Sequence, residues 1–179
     1  VPTEPSEPDK TIENGKIDKA SRIVFVNDGS RDKTWEIIRS LHEQDSVFSG
    51  INLSRNRGHQ NALLAGLMTV KDHADMVISM DADLQDPPEL LPDMYKAVTE
   101  EGFDCAATRR VDRKGEPVIR SFFARMFYRI MNKMARIDMV DGARDYRFMK
   151  RVMVDAILSM EEYNRFSKGI FGWVGFETK

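Results

Sequence analysis

A run of short apolar segments, each closed by polar turn residues and followed by helical spacing, constrains this chain most. Arg22–Val26 (RIVFV) is β-branched and aromatic and reads as a strand, with the turn residues Asn27-Asp28-Gly29-Ser30 directly behind it. Trp35, Ile38 and Leu41 recur at helical spacing and predict a helix over about 33–44. Phe48–Leu53 reads as a second strand, and Met76–Met80 as a third that is apolar throughout. Between them His59–Val70 reads as a helix, apolar nearly all round and expected to be well buried. Asp86-Pro87-Pro88-Glu89 reads as a helix start, with Asp86 as N-cap, Pro87 at the first helical position and Glu89 completing a capping box. That helix is expected to reach about Glu101 before Gly102, with Phe103–Ala107 as a fourth strand and helices over about 118–136 and 150–160.

Alternating strands and helices predict an α/β fold with a mostly parallel central sheet flanked by helices. In such sheets the site lies beyond the carboxyl ends of the strands. Asp28 falls there after the first strand, and Asp81 and Asp83 after the third.

Composition removes several classes. The 179 residues suit one domain, or one domain with a small appendage, and 41% apolar with 31% charged residues is globular usage. The single cysteine, Cys105, excludes an internal disulfide framework and a cysteine-based zinc site, and its strand position reads as core. No run of 18 apolar residues is present, and Val1–Lys19 is polar and Pro-rich, unlike a signal peptide.

The net charge of −2 conceals an asymmetry. Residues 1–105 carry 11 basic and 20 acidic side chains, a net of −9; residues 106–136 carry 9 and 2, a net of +7; residues 137–179 carry 7 and 7. An acidic body beside a basic segment argues against a nucleic-acid partner. It suits one part that attracts cations and another that faces anions.

Met80-Asp81-Ala82-Asp83-Leu84-Gln85 is the most informative stretch. Two carboxylates one residue apart point to a common side of an extended chain, where a cation relieves their repulsion. Oxygen donors suit Mg²⁺ or Mn²⁺ and leave positions open for substrate phosphates. A solvated turn with a helix cap is the bland reading, and the place at a strand's carboxyl end weighs against it. Asn27-Asp28-Gly29-Ser30-x-Asp32 either offers Asp28 to a nucleobase or ribose, or is a plain β-to-α turn in which Ser30 or Asp32 caps the helix. Arg109-Arg110-x-x-Arg113-Lys114 matches phosphate oxygens or forms a solvated basic loop.

Arg125, Arg129, Lys133 and Arg136 stripe an expected helix whose other faces carry bulky apolar residues such as Phe122, Phe123, Met126, Phe127, Ile130 and Met131, the pattern of a segment lying on an anionic membrane surface; packing on the sheet is the alternative. Asp141-Gly142-Ala143-Arg144-Asp145-Tyr146-Arg147 reads as a turn that brings Asp145 and Arg147 to a site, or as a salt-bridged loop. No G-x-G-x-x-G and no Walker A loop occur, and His42, His59 and His73 form no metal or triad pattern.

Taken in order, these motifs resemble family 2 glycosyltransferases of the GT-A fold. The resemblance is to the polyprenyl-phosphate group, which includes dolichol-phosphate mannose synthase and bactoprenol glucosyltransferases. VNDGSRDKTWEII, LSRNRGHQNALLAG, MDADLQDPPELLP, DGARDYRFMKR and NRFSKGIFGWVGF carry it, over about residues 22–176. The resemblance implies that Asp28 binds the donor's base, that Asp81 binds base or ribose, and that Asp81, Asp83 and Gln85 hold Mg²⁺ or Mn²⁺ on the donor pyrophosphate. It implies phosphate contacts from Arg109, Arg110, Arg125 and Arg147, and a place for Asp145 near the acceptor, with Asp83 and Asp145 as the catalytic pair. Pro2 stands where the family's P-x-Y-N-E ending also touches the nucleotide, although Glu4 follows and Tyr-Asn is lacking.

The division implied is residues 1–21 as a loop remnant of that motif, 22–117 as the nucleotide-sugar-binding core and 118–179 as the acceptor side and membrane interface. The expected function is metal-dependent, inverting transfer of a sugar from UDP-glucose, or next GDP-mannose, to a polyprenyl phosphate. It is placed at the cytoplasmic face of the membrane, with C-terminal transmembrane helices expected in the full-length protein. A saccharide acceptor and a non-catalytic nucleotide-sugar-binding module are the competing readings. Homo-oligomerisation is left open.

Overall fold

A computed structural model describes residues 18–83, 85–109, 126, 143–160, 170, 171 and 173–179. The chain divides into two compact units, Val1–Gly66 and Leu67–Lys179.

In the first unit β1 (Ile23–Asn27) and β2 (Phe48–Asn52) pair in parallel, Ile23 opposite Phe48 and Asn27 opposite Asn52. Helix α1 (Thr34–Gln44) is the crossover that a parallel pair requires. It lies close on β2: a Cβ on Gly50 would meet Ile38 at 2.5 Å and the Trp35 ring at 3.0 Å. Stacked rings of Phe25 and Phe48, 6.2 Å apart, add to this core. Helix α2 (His59–Val70), whose last four residues belong to the second unit, has the expected bounds; Ala62 and Leu67 are buried and half of its residues are half-buried, while Met68 is 59% exposed, so the burial expected from its apolar sequence is met in part.

The second unit contains β3 (Met76–Ser79), a 3₁₀ turn (Pro88–Leu90), α3 (Leu91–Thr99), β4 (Cys105–Arg109), β5 (Ala143–Lys150) and α4 (Arg151–Ser159). The strand order is β3-β5-β4, with β5 antiparallel to both neighbours. Residues expected to form a turn before a helix thus form the central strand. The sequence signal is present in retrospect: Tyr146 and Phe148 alternate with Arg147 and Met149, and all four are buried. Along the other edge of β4 the chain adds a parallel segment: Cys105 donates its N–H to Glu177 O (3.2 Å) and accepts Lys179 N–H (3.0 Å).

Helix α3 buries Met94, Ala97 and Val98 against Ala106, Tyr146 and Phe148, with the Tyr95 and Phe148 rings 6.1 Å apart. Each large apolar side chain sunk there is worth about 1.5–3 kcal/mol. Cys105 and Met149 pair in register and are fully buried. The helix expected over 118–136 lies outside the described residues, Met126 apart. Among the described residues no helix is long and apolar enough to cross a membrane.

Candidate active site

In the second unit the antiparallel course of β5 brings its first residues to the edge where β3 and β4 end. Arg147 stands opposite Ser79 and Ala107, and Ala143 opposite Arg109. A register shift between Ala107 and Arg109 interrupts the ladder there, a device that re-aims side chains near sites.

The loop that leaves β3 at this edge is tied down at several points. Asp86 is not the expected N-cap. The helical turn starts at Pro88 without a side-chain cap, and Asp86 turns inward, 3% exposed, where its Oδ2 accepts the Asp81 N–H (3.1 Å). A buried carboxylate needs partners more than a helix end in water does. Arg144, at the start of β5, supplies the charge: Nη1 lies 3.1 Å from Asp86 Oδ1, an ion pair without a well-aligned hydrogen bond. The same guanidinium donates to Gln85 O (2.8 Å) from Nη1 and to Gln85 Oε1 (3.0 Å) from Nη2. Two residues along β5, on the same face, Tyr146 donates its hydroxyl to Pro87 O (3.2 Å). Burial, with the Asp86 and Glu89 charges adding to it, pushes the Tyr146 hydroxyl up to about 12. Asp83 Oδ1 accepts the Gln85 N–H (3.0 Å) and closes the turn.

Beside this loop an open hollow of about 370 Å³ is lined by Gln85, Asp86, Pro87, Leu90, Thr108, Arg109 and Arg144. Of the expected residues, Asp81, Asp83 and Gln85 share the loop, Arg109 faces the hollow, and Asp145 follows Arg144, its backbone oxygen accepting a short hydrogen bond from Ser79 Oγ. Arg147 is placed otherwise: it is 5% exposed, its guanidinium 4.1 Å from the centroid of the Phe171 ring. Burial holds it below the ordinary arginine value, and the neighbouring Cys105 opposes that shift. Arg109, by contrast, is exposed and lines the hollow. Arg144 and Tyr146 were not singled out by sequence as site residues.

In the first unit Asp28 binds its own chain with both oxygens, Oδ1 accepting Arg57 N–H (2.6 Å) and Oδ2 accepting Gly58 N–H (2.8 Å). Gly29, at φ +69°, passes so close to residues 55–56 that a Cβ would stand 2.4 Å from Asn56 N. Asn27, buried, is fixed to Asn52 (2.8 Å) and accepts Ser30 N–H (3.2 Å). Asp32, not Ser30, serves the helix start: its Oδ1 accepts from the Thr34 hydroxyl (2.6 Å) and N–H (3.0 Å), which hold its carboxyl below the ordinary value. Pro2, Arg110 and Arg125 lie outside the described residues.

Among the described residues no group of three or more His, Cys, Asp or Glu gathers as a metal cage. Asp81, Asp83 and Gln85 supply two carboxylates and one amide oxygen from a single turn, donor types that hard divalent cations take.

Residues 11–158 match the family model described as glycosyl transferase family 2. The putative glycosyltransferase CsbB of Bacillus subtilis is 44% identical over 157 residues, covering 88% of this chain and 46% of that protein. The prophage bactoprenol glucosyl transferase homolog of Escherichia coli is 39% identical over 158 residues, 87% of this chain and 50% of its own length. The bactoprenol glucosyl transferase of Shigella phage SfV gives the same identity and coverage. The chain spans about half the length of the curated relatives it matches.

Proposed function

The chain belongs to glycosyl transferase family 2, and from that premise we propose that it transfers a sugar from a nucleotide-sugar donor to a polyprenyl phosphate at the cytoplasmic face of a membrane. Glucose from UDP-glucose is the first choice and mannose from GDP-mannose the second. The observation that carries the reading is the Asp81–Asp86 loop, held by Arg144 and Tyr146 at a strand edge beside a hollow that Arg109 lines. Two relatives named for bactoprenol glucosyl transfer support the lipid acceptor.

Asp81, Asp83 and Gln85 would hold Mg²⁺ or Mn²⁺, which when bound neutralises charge developing on the nucleoside diphosphate leaving group. Arg109 contributes a fork for donor phosphate. Asp28 is assigned to the donor's base, with Pro2 and Arg110 as further donor contacts and Arg125 as an acceptor-phosphate contact. Asp145 stands with the acceptor. A polyprenyl phosphate is already an anionic nucleophile, so this site needs alignment and electrostatic preorganisation more than a strong base. In the step proposed, a phosphate oxygen forms a bond to the anomeric carbon, the bond from that carbon to the diphosphate oxygen breaks, and the configuration inverts.

The test is transfer of radiolabelled sugar from each donor into lipid. Label in the organic phase with undecaprenyl phosphate supports the reading. Label in an added saccharide instead assigns a saccharide acceptor, and donor binding without any transfer by the full-length protein assigns a binding module.

A further inference from the structure

Gln85 Oε1 has two claimants. In the structure it accepts a hydrogen bond from Arg144 Nη2 at 3.0 Å, and in the reading above the same oxygen is a ligand of the divalent cation. A guanidinium and a dication on one amide oxygen stand within a few ångströms of each other, where like charges repel. The remaining contacts of Arg144 do not compete: Nη1 holds the Gln85 backbone oxygen (2.8 Å) and pairs with Asp86 (3.1 Å), whose side chain is 1% exposed.

We propose that Arg144 is a built-in stand-in for the cation. Its guanidinium shapes the Asp81–Asp86 loop by holding Gln85 Oε1. On loading, Nη2 gives up that oxygen while Nη1 keeps the loop anchored through Gln85 O and Asp86. Arg144 is thus a positioning residue that also sets cation affinity: the loop is held in shape before substrate arrives, at the expense of weaker binding of the free ion. The idea rests on the assignment of the cation to Asp81, Asp83 and Gln85.

The experiment is Mn²⁺ titration followed by electron paramagnetic resonance, without nucleotide sugar, on wild type and on the Arg144→Gln, Arg144→Lys and Asp83→Asn proteins. Arg144→Gln removes the competing charge and leaves the Asp86 carboxylate to attract the ion, so Mn²⁺ binding tightens by roughly threefold or more. Arg144→Lys keeps the charge but lacks the fork that reaches Gln85 Oε1, so its Mn²⁺ affinity falls between those of wild type and Arg144→Gln. Equal or weaker binding by a folded Arg144→Gln protein overturns the proposal. Wild type gives a second, variant-free reading: Mn²⁺ speeds modification of Arg144 by phenylglyoxal, scored by mass spectrometry, and an unchanged rate counts against the exchange. Asp83→Asn separates the two ideas. If it abolishes Mn²⁺ binding while Arg144→Gln changes nothing, the stand-in role falls alone; if it leaves binding intact, the cation assignment falls and takes the stand-in role with it.

Discussion

Arg144 Nη1 lies 3.1 Å from Asp86 Oδ1, and the other oxygen of that buried carboxylate accepts the backbone N–H of Asp81. One acid therefore joins the start of β5 to the start of the loop that leaves β3. Asp86→Ala leaves the partly buried Arg144 guanidinium without its counter-charge and the Asp81 N–H without its acceptor. Breaking a fully buried pair costs about 3–5 kcal/mol, and with Arg144 29% exposed the expected loss is about 2–3 kcal/mol. Asp86→Asn keeps an oxygen for Asp81 and loses less. Urea denaturation of both variants checks the order.

Gly29→Ala is expected to be far more damaging than Gly58→Ala, although both glycines have positive φ. A left-handed alanine costs about 1–2 kcal/mol wherever it stands. At Gly58 nothing lies within 4 Å of the new Cβ, so that is the whole cost; at Gly29 the Cβ also strikes the Asn56 backbone at 2.4 Å. Midpoints of thermal unfolding measure the difference.

Asp28 carries a structural duty as well as the proposed contact with the donor's base. Both oxygens accept backbone N–H groups, at 2.6 and 2.8 Å. Hydrogen bonds to a charged acceptor are worth about 1.5–3 kcal/mol, so Asp28→Ala loses about 2–3 kcal/mol of stability and Asp28→Asn roughly half of that. A folded Asp28→Asn protein with wild-type donor affinity would refute the base contact and leave the structural role intact.

Tyr146 makes stability pH-dependent on the alkaline side. Its hydroxyl is raised from the ordinary value of 10.0 to about 12, so the folded state holds this proton more tightly than the unfolded chain. The stabilisation is complete below about pH 10 and is lost as pH rises towards 12. Tyr146→Phe removes the bond to Pro87, costs about 1 kcal/mol near neutrality and flattens that decline. Denaturation series at pH 8 to 11, beside wild type, test it.

Cys105 is fully buried, and burial pushes its thiol up, although Arg147 beside it pulls the other way. Native protein should not react with Ellman's reagent over minutes, and denaturant should release one thiol per chain.

The local parts of this fold were legible in the sequence, and the long-range ties were not. Helix α2 has the bounds read from its apolar run, and β1 and β2 lie within a residue of theirs, because short-range composition and turn residues decide them. β5 was hidden because Arg144, Asp145, Arg147 and Lys150 break up its apolar positions, and a buried arginine over Phe171 follows no propensity rule. Asp86 before two prolines carries every local mark of an N-cap, yet its partner Arg144 is 58 positions away and no spacing rule connects them. Asp81, Asp83 and Gln85 stand out in the sequence as a donor pattern; the Arg144 and Tyr146 bonds that hold their loop do not.

The central claim is that the Asp81–Asp86 loop binds a nucleotide sugar through a divalent cation. Calorimetric binding of UDP-glucose and GDP-mannose, each with and without Mn²⁺, to wild type and to Asp83→Asn tests it most directly. Mn²⁺-dependent binding of one donor to wild type, lost in a folded Asp83→Asn protein, is the predicted result. Donor binding indifferent to both Mn²⁺ and Asp83 would contradict the account.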